Sequence, residues 1–380
     1  MKYRKFGSLD WEVSALGFGA MRLPLVGKDS SRVAEPEAIK MIRHAVDRGV
    51  NYVDTAYPYH EKVGEIVVGR ALLDGYRQKV KLATKLPSWL VEKPDDFDRF
   101  LAEQLDKLQT DHIDFYLLHA LNSTHWPKLR DLKVLDWAEK AITDGRIHHL
   151  GFSFHDEFEV FKNIVDAYDN WALCQVQYNF IDIAYQAGTR GLLYAADKGL
   201  AVVVMEPLRG GQLTHKVPKS VSELWKSAAV RRTPADWALQ WIWNQAQVSV
   251  VLSGMTTMQQ VVENLDSAER SDAGMLSEEE LSLVEKVREE YRRLTPVPCT
   301  QCRYCLPCPN GVEIVDILNY YSDAVIYDNS GAPGFLYRNL PEEKQAHNCV
   351  ECFECEEKCP QGIPISEYLK KAHELLGEKK

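Results

Sequence analysis

One repeated pattern dominates the first 290 residues: a short apolar segment rich in β-formers, followed by an amphipathic helical stretch. This alternation is typical of parallel strands joined by helical crossovers. The apolar segments lie at residues 14–18, 51–54, 81–85, 115–119, 149–153, 175–177, 202–206 and 249–253, and helical stretches at 37–48, 96–107, 131–144, 186–198 and 234–245. Eight such units predict an α/β fold, a closed (β/α)8 TIM barrel. Residues 1–12, with turn chemistry at 7–10, predict a hairpin before the first barrel strand.

Several predicted strands end in a polar residue. These are Asp54, Lys85, His119, Ser153, Gln177 and Glu206. The carboxyl ends of barrel strands meet at one face, where active sites of this fold are built. Because loops begin at strand ends, a single polar residue there is unremarkable. The whole set, however, predicts one polar cavity.

Charge and hydropathy exclude several kinds of partner. The chain has 45 Lys and Arg against 55 Asp and Glu, a net charge of −10, which disfavours binding to nucleic acids or anionic membranes. No apolar run reaches the roughly 18–20 residues that span a bilayer, and the first ten residues carry charges without an apolar signal core. We therefore expect a cytoplasmic protein with neither nucleic acid nor membrane as a partner.

The character of the sequence changes at residues 295–298, Thr-Pro-Val-Pro, which form a stiff linker. We place the domain boundary there, with a barrel over residues 1–294 and a second domain over 295–380. Apolar stretches of the second domain, such as residues 312–320 and 365–376, have a helical pattern. A small, mainly α-helical domain is therefore expected after the barrel.

Eight of the nine cysteines lie in two runs within this second domain. The runs are Cys299, Cys302, Cys305 and Cys308, and Cys349, Cys352, Cys355 and Cys359, each followed by proline. Clustered thiols without an export signal favour metal ligation over disulfides. The second run matches ferredoxin-type spacing residue for residue, and the segment resembles the α-helical ferredoxin modules of multi-subunit dehydrogenases. Two [4Fe–4S] clusters are predicted, whereas the ninth cysteine, Cys174, is expected in the barrel core.

The fourth cysteine of such a run ligates the other cluster. One cluster is therefore assigned to Cys299, Cys302, Cys305 and Cys359, and the other to Cys349, Cys352, Cys355 and Cys308. The first run has two residues rather than three before its last cysteine, so spacing supports Cys308 least. Structural zinc, which also uses CxxC pairs, is the alternative.

Four residues at or just after predicted strand ends form a constellation: Asp54, Tyr59, Lys85 and His119. Here the sequence resembles the aldo-keto reductases. The likeness extends to Lys5-Phe6-Gly7, Gly145-Arg146-Ile147, Gly151-Phe152-Ser153, Gln175-Val176-Gln177-Tyr178-Asn179 and Glu263-Asn264-Leu265. The resemblance implies a barrel that reduces a small aldehyde or ketone with a nicotinamide cofactor, and it makes these four residues a catalytic tetrad.

The residue types suit that chemistry. Hydride addition to a carbonyl leaves an alkoxide that must be protonated, and a phenol with a pKa of about 10 needs a nearby cation to act as the acid. Tyr59 would be that acid and Lys85 the cation. Asp54 would hold the ammonium, and His119 would hydrogen-bond the substrate oxygen. Taken singly, Asp54 could be a turn cap and His119 an ordinary core histidine.

The cofactor contacts are carried over from the resemblance. Ser153 and Gln177 match positions that hold the nicotinamide carboxamide, and Met205 stands where the family stacks an aromatic ring. Phe154 replaces a usual Asn. The remaining predicted contacts are Leu208, Arg209 and Gly210 in the loop over the pyrophosphate, and Asn264.

The adenosine end departs from the family pattern. Where NADPH-preferring relatives carry Lys and Arg beside the 2′-phosphate, this chain has Gly254 and Gln260. Either NADH is preferred, or Arg209 or another cation substitutes, or the reductant is not a pyridine nucleotide. The sequence thus predicts NADH or NADPH as cofactor without deciding between them.

Two functions from different classes remain open. The first is a carbonyl-reducing oxidoreductase that carries two clusters and exchanges electrons with a further protein. Because clusters pass single electrons and hydride carries two, a converter such as a flavin, or a separate role for the clusters, is then required. The second is an electron-transfer or docking protein whose barrel turns over no carbonyl. Trp89, Trp126 and Tyr57 are candidates for an apolar rim around the substrate, or for packing.

Overall fold

The structure, a computed structural model, describes residues 1–27, 29, 31–215, 217–299, 305–359 and 362–377. It divides the chain into two compact units, one comprising Met1–Thr214 with Arg232–Leu281, the other His215–Arg231 with Ser282–Lys380. The boundary expected near residue 294 stays a prediction. Within the described residues, no helix is both long and apolar enough to cross a bilayer.

Strands of the first unit form a hairpin and a closed barrel. Their bounds are β1 Tyr3–Lys5, β2 Glu12–Ser14, β3 Leu16–Gly19, β4 Tyr52–Asp54, β5 Lys81–Leu86, β6 Ile113–Leu121, β7 Ile147–Phe154, β8 Leu173–Gln177, β9 Ala201–Met205 and β10 Val248–Gly254. In the part of the chain that is described, β3 to β10 pair in sequence order, all parallel, and β10 closes on β3. The predicted eight-stranded barrel is confirmed, and each predicted segment overlaps one of its strands.

Helices follow most of the barrel strands and continue beyond them. They are α1 Glu35–Asp47, α2 Gly64–Ala71, α3 Asp95–Leu108, α4 His125–Asp131, α5 Val134–Thr143, α6 Phe158–Val165, α7 Gly188–Asp197, α8 Gln212–His215, α9 Lys219–Lys226, α10 Pro234–Trp243, α11 Met258–Glu269, α12 Glu278–Leu294, α13 Ile314–Ile326, α14 Gly331–Arg338, α15 Glu354–Glu357 and α16 Ile365–Gly377. The stretch predicted as one helix over 131–144 is interrupted at Lys133, whose φ is 63°, so that α4 ends before it and α5 begins after it.

The hairpin covers the amino-terminal end of the barrel. Lys5 pairs with Glu12, and the fully buried ring of Phe6 lies 4.7 Å from Phe115 and 5.8 Å from Tyr52, centroid to centroid. Gly7 adopts a φ of 57°, and a Cβ there would lie 2.4 Å from the backbone nitrogen of Ala201. Only glycine fits this approach. With this end filled, the carboxyl ends of the strands are left for a site.

The second unit has its own apolar core, formed mainly by α13, α14 and α16. Ile317, Leu318, Tyr337, Leu369 and Leu376 are among its buried residues. The expected mainly helical character is confirmed. Six cysteines of the two runs pack against this core: Cys299, Cys305, Cys308, Cys349, Cys355 and Cys359.

Candidate active site and cysteine centre

A buried ion pair joins the ends of β4 and β5. The Lys85 ammonium donates to both carboxylate oxygens of Asp54, at 2.7 and 2.8 Å, and to the backbone oxygen of Thr55 at 2.8 Å. Both side chains are almost fully buried. Burial raises the pKa of Asp54 and Lys85 opposes that rise; burial lowers the pKa of Lys85, but Asp54 and Tyr59 outweigh it, so that the net shift is upward. Lys85 is therefore a fixed cation.

Tyr59 lies beside this cation, on the loop after β4. The Lys85 ammonium is 5.3 Å from the centroid of the Tyr59 ring. Burial raises the pKa of Tyr59 and Lys85 counteracts it, with a net rise. The phenol is thus a protonated group beside a cation, as a proton donor requires. Its neighbour His60 has a φ of 52°, and its Nε2 lies 3.2 Å from the backbone oxygen of Ala20 and accepts from Leu23 N at 3.3 Å.

His119 faces Tyr59 from β6, with ring centroids 6.3 Å apart. Its pKa lies well below the usual value, first through burial and then through Lys85 and two further histidines. The imidazole is therefore neutral. Its Nδ1 is buried and has no hydrogen-bond partner among the described groups. The next residue, Ala120, has a φ of 54° and donates its N–H to Ser153 Oγ at 2.8 Å. This bond holds in place the part of β6 around His119, where the pairing with β7 shifts register.

Of the three aromatic residues considered for a rim, one lies at this site. The Trp89 ring is 39% exposed and lies 5.1 Å from His119. Trp126 is buried and packs near Trp171, and the Tyr57 hydroxyl donates to Glu103 of α3 at 3.1 Å. Trp89 alone of the three fits a substrate rim, whereas the other two pack between elements.

The predicted cofactor residues at β8 and the following loops converge on Asp182. Its Oδ2 accepts from Asn179 Nδ2 at 3.0 Å and from Gln177 Nε2 at 3.5 Å, and lies 3.3 Å from Arg209 Nε. Gln177 and Arg209 are therefore already engaged. Their predicted contacts to a nucleotide stay predictions.

Gln175, two residues before Gln177 on the same strand, has a side-chain amide that is better placed than that of Gln177 to bind a ligand. It is buried, its Nε2 lies 3.8 Å from Met205 Sδ, and its Oε1 has no partner in the described chain. It also sits opposite Ser153 in the register of β7 and β8. A buried amide oxygen without a partner costs free energy unless a ligand satisfies it. Alternation along β8 puts residues 175 and 177 on one face, and this signal could have identified Gln175 from the sequence.

The loop after β9 is tightly wound. Glu206 and Arg209 have φ of 55° and 50°, and Gly210 and Gly211 have φ of 65° and 92°. In the same loop, the backbone oxygen of Leu208 accepts a hydrogen bond from the N–H of Gly211 at 2.9 Å. Such left-handed conformations are rare outside glycine and concentrate at functional loops. Away from this loop, Phe154 is fully buried and packs on Phe161.

The residues at the predicted adenosine end are occupied by local contacts. Asn264 donates to Ser253 Oγ at 2.9 Å. The Gln260 side chain accepts from the backbone N–H of Thr256 at 2.7 Å and completes a capping box with Thr257 at the start of α11. Gln260 is therefore part of a helix cap, and Gly254 has no side chain to offer.

The cysteine runs meet in the second unit. The Cys355 thiol has its pKa raised to about 11, mainly by burial and then by Glu356, Cys349 and Cys308. Cys308 of the first run therefore lies close to the second run. Cys352 is exposed, and the loop around it contains left-handed Glu351 and Phe353, with φ of 56° and 63°. Cys302 lies outside the described residues.

Comparison with known proteins gives a family match for each of two parts of the chain. The family model described as Aldo/keto reductase family matches residues 15–289, nearly three quarters of the chain. The chain belongs to this family. The aldo-keto reductase barrel is followed by a match to the 4Fe-4S dicluster domain over residues 298–364. The protein is therefore an aldo-keto reductase-type oxidoreductase with an iron–sulfur domain of that kind.

Relatives of this aldo-keto reductase cover its barrel. A probable aldo-keto reductase 1 of Glycine max is 25% identical over 73% of this chain and 86% of its own, and an L-galactose dehydrogenase of Arabidopsis thaliana is 26% identical over 78% and 97%. Among solved structures, a holo aldo-keto reductase of Bacillus halodurans has a TM-score of 0.61 at 26% identity, covering 76% of this chain and 96% of its own. An aldo-keto reductase of Klebsiella pneumoniae in complex with NADPH has a TM-score of 0.61 at 24% identity, with the same coverage, and shares the fold.

Proposed function

We propose that the barrel reduces an aldehyde or ketone with a nicotinamide nucleotide, while the second unit carries two [4Fe–4S] clusters for electron transfer. The observation that carries this proposal is the arrangement of the four predicted catalytic residues. Asp54 and Lys85 form a buried ion pair, Tyr59 lies against the ammonium, and a neutral His119 with an unpartnered nitrogen faces the phenol. A carbonyl oxygen between Tyr59 and His119 would meet one acid and one further hydrogen-bonding group.

A bound reduced nicotinamide would supply the hydride and be left oxidised. Tyr59 then gives its proton to the substrate oxygen as negative charge develops there. Lys85 stabilises the phenolate that remains, and Asp54 keeps the ammonium in place. His119 is neutral, so it orients the carbonyl oxygen by a hydrogen bond rather than by charge.

The residues of the cleft fit a nicotinamide nucleotide. Ser153 and the unpartnered Oε1 of Gln175 are suited to the carboxamide, and Met205 can cover the ring through its sulfur. Leu208, Arg209, Gly210, Asn264 and Gln177 complete the proposed contacts. The NADPH complex of the Klebsiella pneumoniae relative supports this part of the proposal.

The thiols of the second unit fit iron–sulfur ligation. Cys308, Cys349 and Cys355 pack against the same apolar core, which supports the crossed assignment, in which Cys308 joins Cys349, Cys352 and Cys355. Cys359 would join Cys299, Cys302 and Cys305. Iron–sulfur clusters exchange single electrons when bound, so an electron-transfer protein is a proposed partner and a two-electron converter is required if the clusters communicate with the barrel. Clustered thiols also favour a cytoplasmic location.

The ultraviolet and visible spectrum of anaerobically purified protein, recorded before and after adding NADH or NADPH together with a carbonyl compound, tests the proposal. We expect iron–sulfur absorption and carbonyl-dependent oxidation of a nucleotide. A colourless zinc protein would refute the cluster assignment. Clusters without any nucleotide binding would instead favour the electron-transfer or docking function.

A further inference from the structure

Arg22 occupies an unexpected position in the proposed nucleotide cleft. It ends the single 3-10 turn Ala20–Arg22 that follows β3, at the same end of the barrel as Asp54. The register pairs Gly19 of β3 with Gly254 of β10. Arg22 therefore leaves the barrel next to the glycine that stands at the predicted adenosine end.

The stem of Arg22 lies over Gly254. A Cβ built on Gly254 would meet Cγ of Arg22 at 3.1 Å and its Cβ and Cδ at 3.2 Å, and these are its three nearest atoms. The space of a side chain at position 254 is thus taken by the methylene groups of Arg22. Since the three contacts are all with one flexible side chain, a shorter residue at position 22 would free that space.

The guanidinium of Arg22 reaches across to the loop after β9. Its Nη2 lies 3.1 Å from where a Cβ of Gly210 would be, and 3.4 Å from Glu206 Oε1. The Arg22 side chain is 43% exposed, so this long ion pair with Glu206 is accessible to solvent and weakly held. By contrast, Arg209, the cation of that loop, pairs with Asp182.

We propose that Arg22, from the turn that follows the first barrel strand, supplies the cation that binds the pyrophosphate of the nucleotide. This inference rests on the proposed function, because it takes the Leu208–Gly211 loop as the pyrophosphate loop. A guanidinium suits this role, since it forms paired, charge-assisted hydrogen bonds with phosphate oxygens. The pyrophosphate is common to both nucleotides, so Arg22 strengthens binding of each without choosing between them.

Titrating NADH and NADPH into the full-length, cluster-containing protein, followed by tryptophan fluorescence, tests the assignment. Arg22→Met keeps an unbranched side chain over Gly254 but removes the charge, and we expect it to weaken both nucleotides by about tenfold or more. Arg70→Met is the matched control. Arg70 pairs with Glu35 at 2.7 Å between α1 and α2, and its loss should leave both affinities unchanged.

A second experiment moves the positive charge from position 22 to position 254. Arg22→Ala should weaken both nucleotides, and adding Gly254→Lys to it should recover most of the loss, because the lysine enters the space that Arg22 vacated. Unchanged affinities in Arg22→Met, or a loss confined to NADPH, would overturn the pyrophosphate assignment while leaving the proposed function intact. Failure of the wild-type protein to bind either nucleotide would refute the proposed function itself.

Discussion

The barrel site and the cysteine unit assemble their functional groups in opposite ways. Asp54, Lys85 and His119 come from three strands and are brought together only when the barrel closes. The cysteines come from two runs in which neighbouring cysteines are separated by two or three residues. One site depends on long-range packing and the other mostly on loop geometry.

This difference determines what a single substitution should do. In the barrel, the Asp54 and Lys85 charges are buried together, so that removing either alone leaves an uncompensated charge. In the cysteine unit, the proposed clusters each take four ligands, and the unit has a separate apolar core in α13, α14 and α16. We therefore expect barrel variants to separate chemistry from stability, and cysteine variants to separate one cluster from the other.

The largest effect is expected for Tyr59→Phe. The lost hydroxyl donates its proton only as the alkoxide forms, so its contribution belongs to the transition state. Carbonyl turnover should fall by about 10²–10⁴-fold, with nucleotide affinity nearly unchanged. Steady-state kinetics and nucleotide titration measure the two quantities separately.

Tyr57→Phe is the control for that measurement. Its hydroxyl bonds Glu103 on α3 rather than any member of the tetrad, so turnover should stay within about twofold of wild type, since most changes outside a site have small effects. Equal activity of the Tyr59→Phe variant and the wild type would show that the assembled tetrad does not catalyse carbonyl reduction.

Lys85→Met should affect stability as well as turnover. The substitution leaves the buried Asp54 carboxylate without its cation. Losing one partner of a buried ion pair typically lowers the free energy of unfolding by about 3–5 kcal/mol. Denaturant unfolding at neutral pH, with the clusters intact, would measure the loss. The double variant Asp54→Asn with Lys85→Met removes both charges and should recover part of it.

The pH dependence of the Lys85→Met variant gives a further check. Burial already raises the pKa of Asp54, and without Lys85 the folded state would bind the proton more tightly than the unfolded chain. The folded variant then holds more protons than its unfolded chain, so its free energy of unfolding falls as pH rises. The loss of stability relative to wild type should therefore shrink on acidification towards pH 4. A deficit that grows on acidification would contradict the uncompensated-carboxylate explanation.

A smaller effect is expected from the two glutamines of β8. Gln175→Ala should weaken binding of the nicotinamide end by about tenfold, the value of one hydrogen bond to a buried amide. Gln177→Ala loses only the 3.5 Å contact with Asp182 and should change affinity by no more than about threefold. Nucleotide titration of the two variants compares them directly. A larger loss in Gln177→Ala would restore the carboxamide contact predicted from sequence.

Much of this molecule could be predicted from its sequence. Strand and helix periodicity predicted the barrel, and cysteine spacing predicted an iron–sulfur domain, in agreement with the match to the 4Fe-4S dicluster domain. The tetrad was predicted by resemblance, and in the structure Lys85 pairs with Asp54 and lies beside Tyr59, whose ring centroid is 6.3 Å from that of His119. Gln175 was overlooked because the resemblance assigned the carboxamide contact to Gln177, although strand alternation puts both glutamines on one face; their contacts with Met205 and Asp182 distinguish them. Arg22 was overlooked because its reach across the cleft depends on how the chain folds, which no local spacing encodes.

The last and smallest expected effect tests how the two runs share their ligands. Wild-type protein should contain about eight iron and eight sulfide per chain, and Cys308→Ser should lose about half of the iron. The lost cluster should be the one lost in Cys355→Ser, because the crossed assignment gives Cys308 and Cys355 to one cluster, and Cys359→Ser should lose the other. Cys174→Ala, in the barrel core, should keep all of its iron. Anaerobic iron analysis with electron paramagnetic resonance of the reduced proteins distinguishes the clusters. If each run held its own cluster, Cys359→Ser would resemble Cys355→Ser and Cys308→Ser would differ from both.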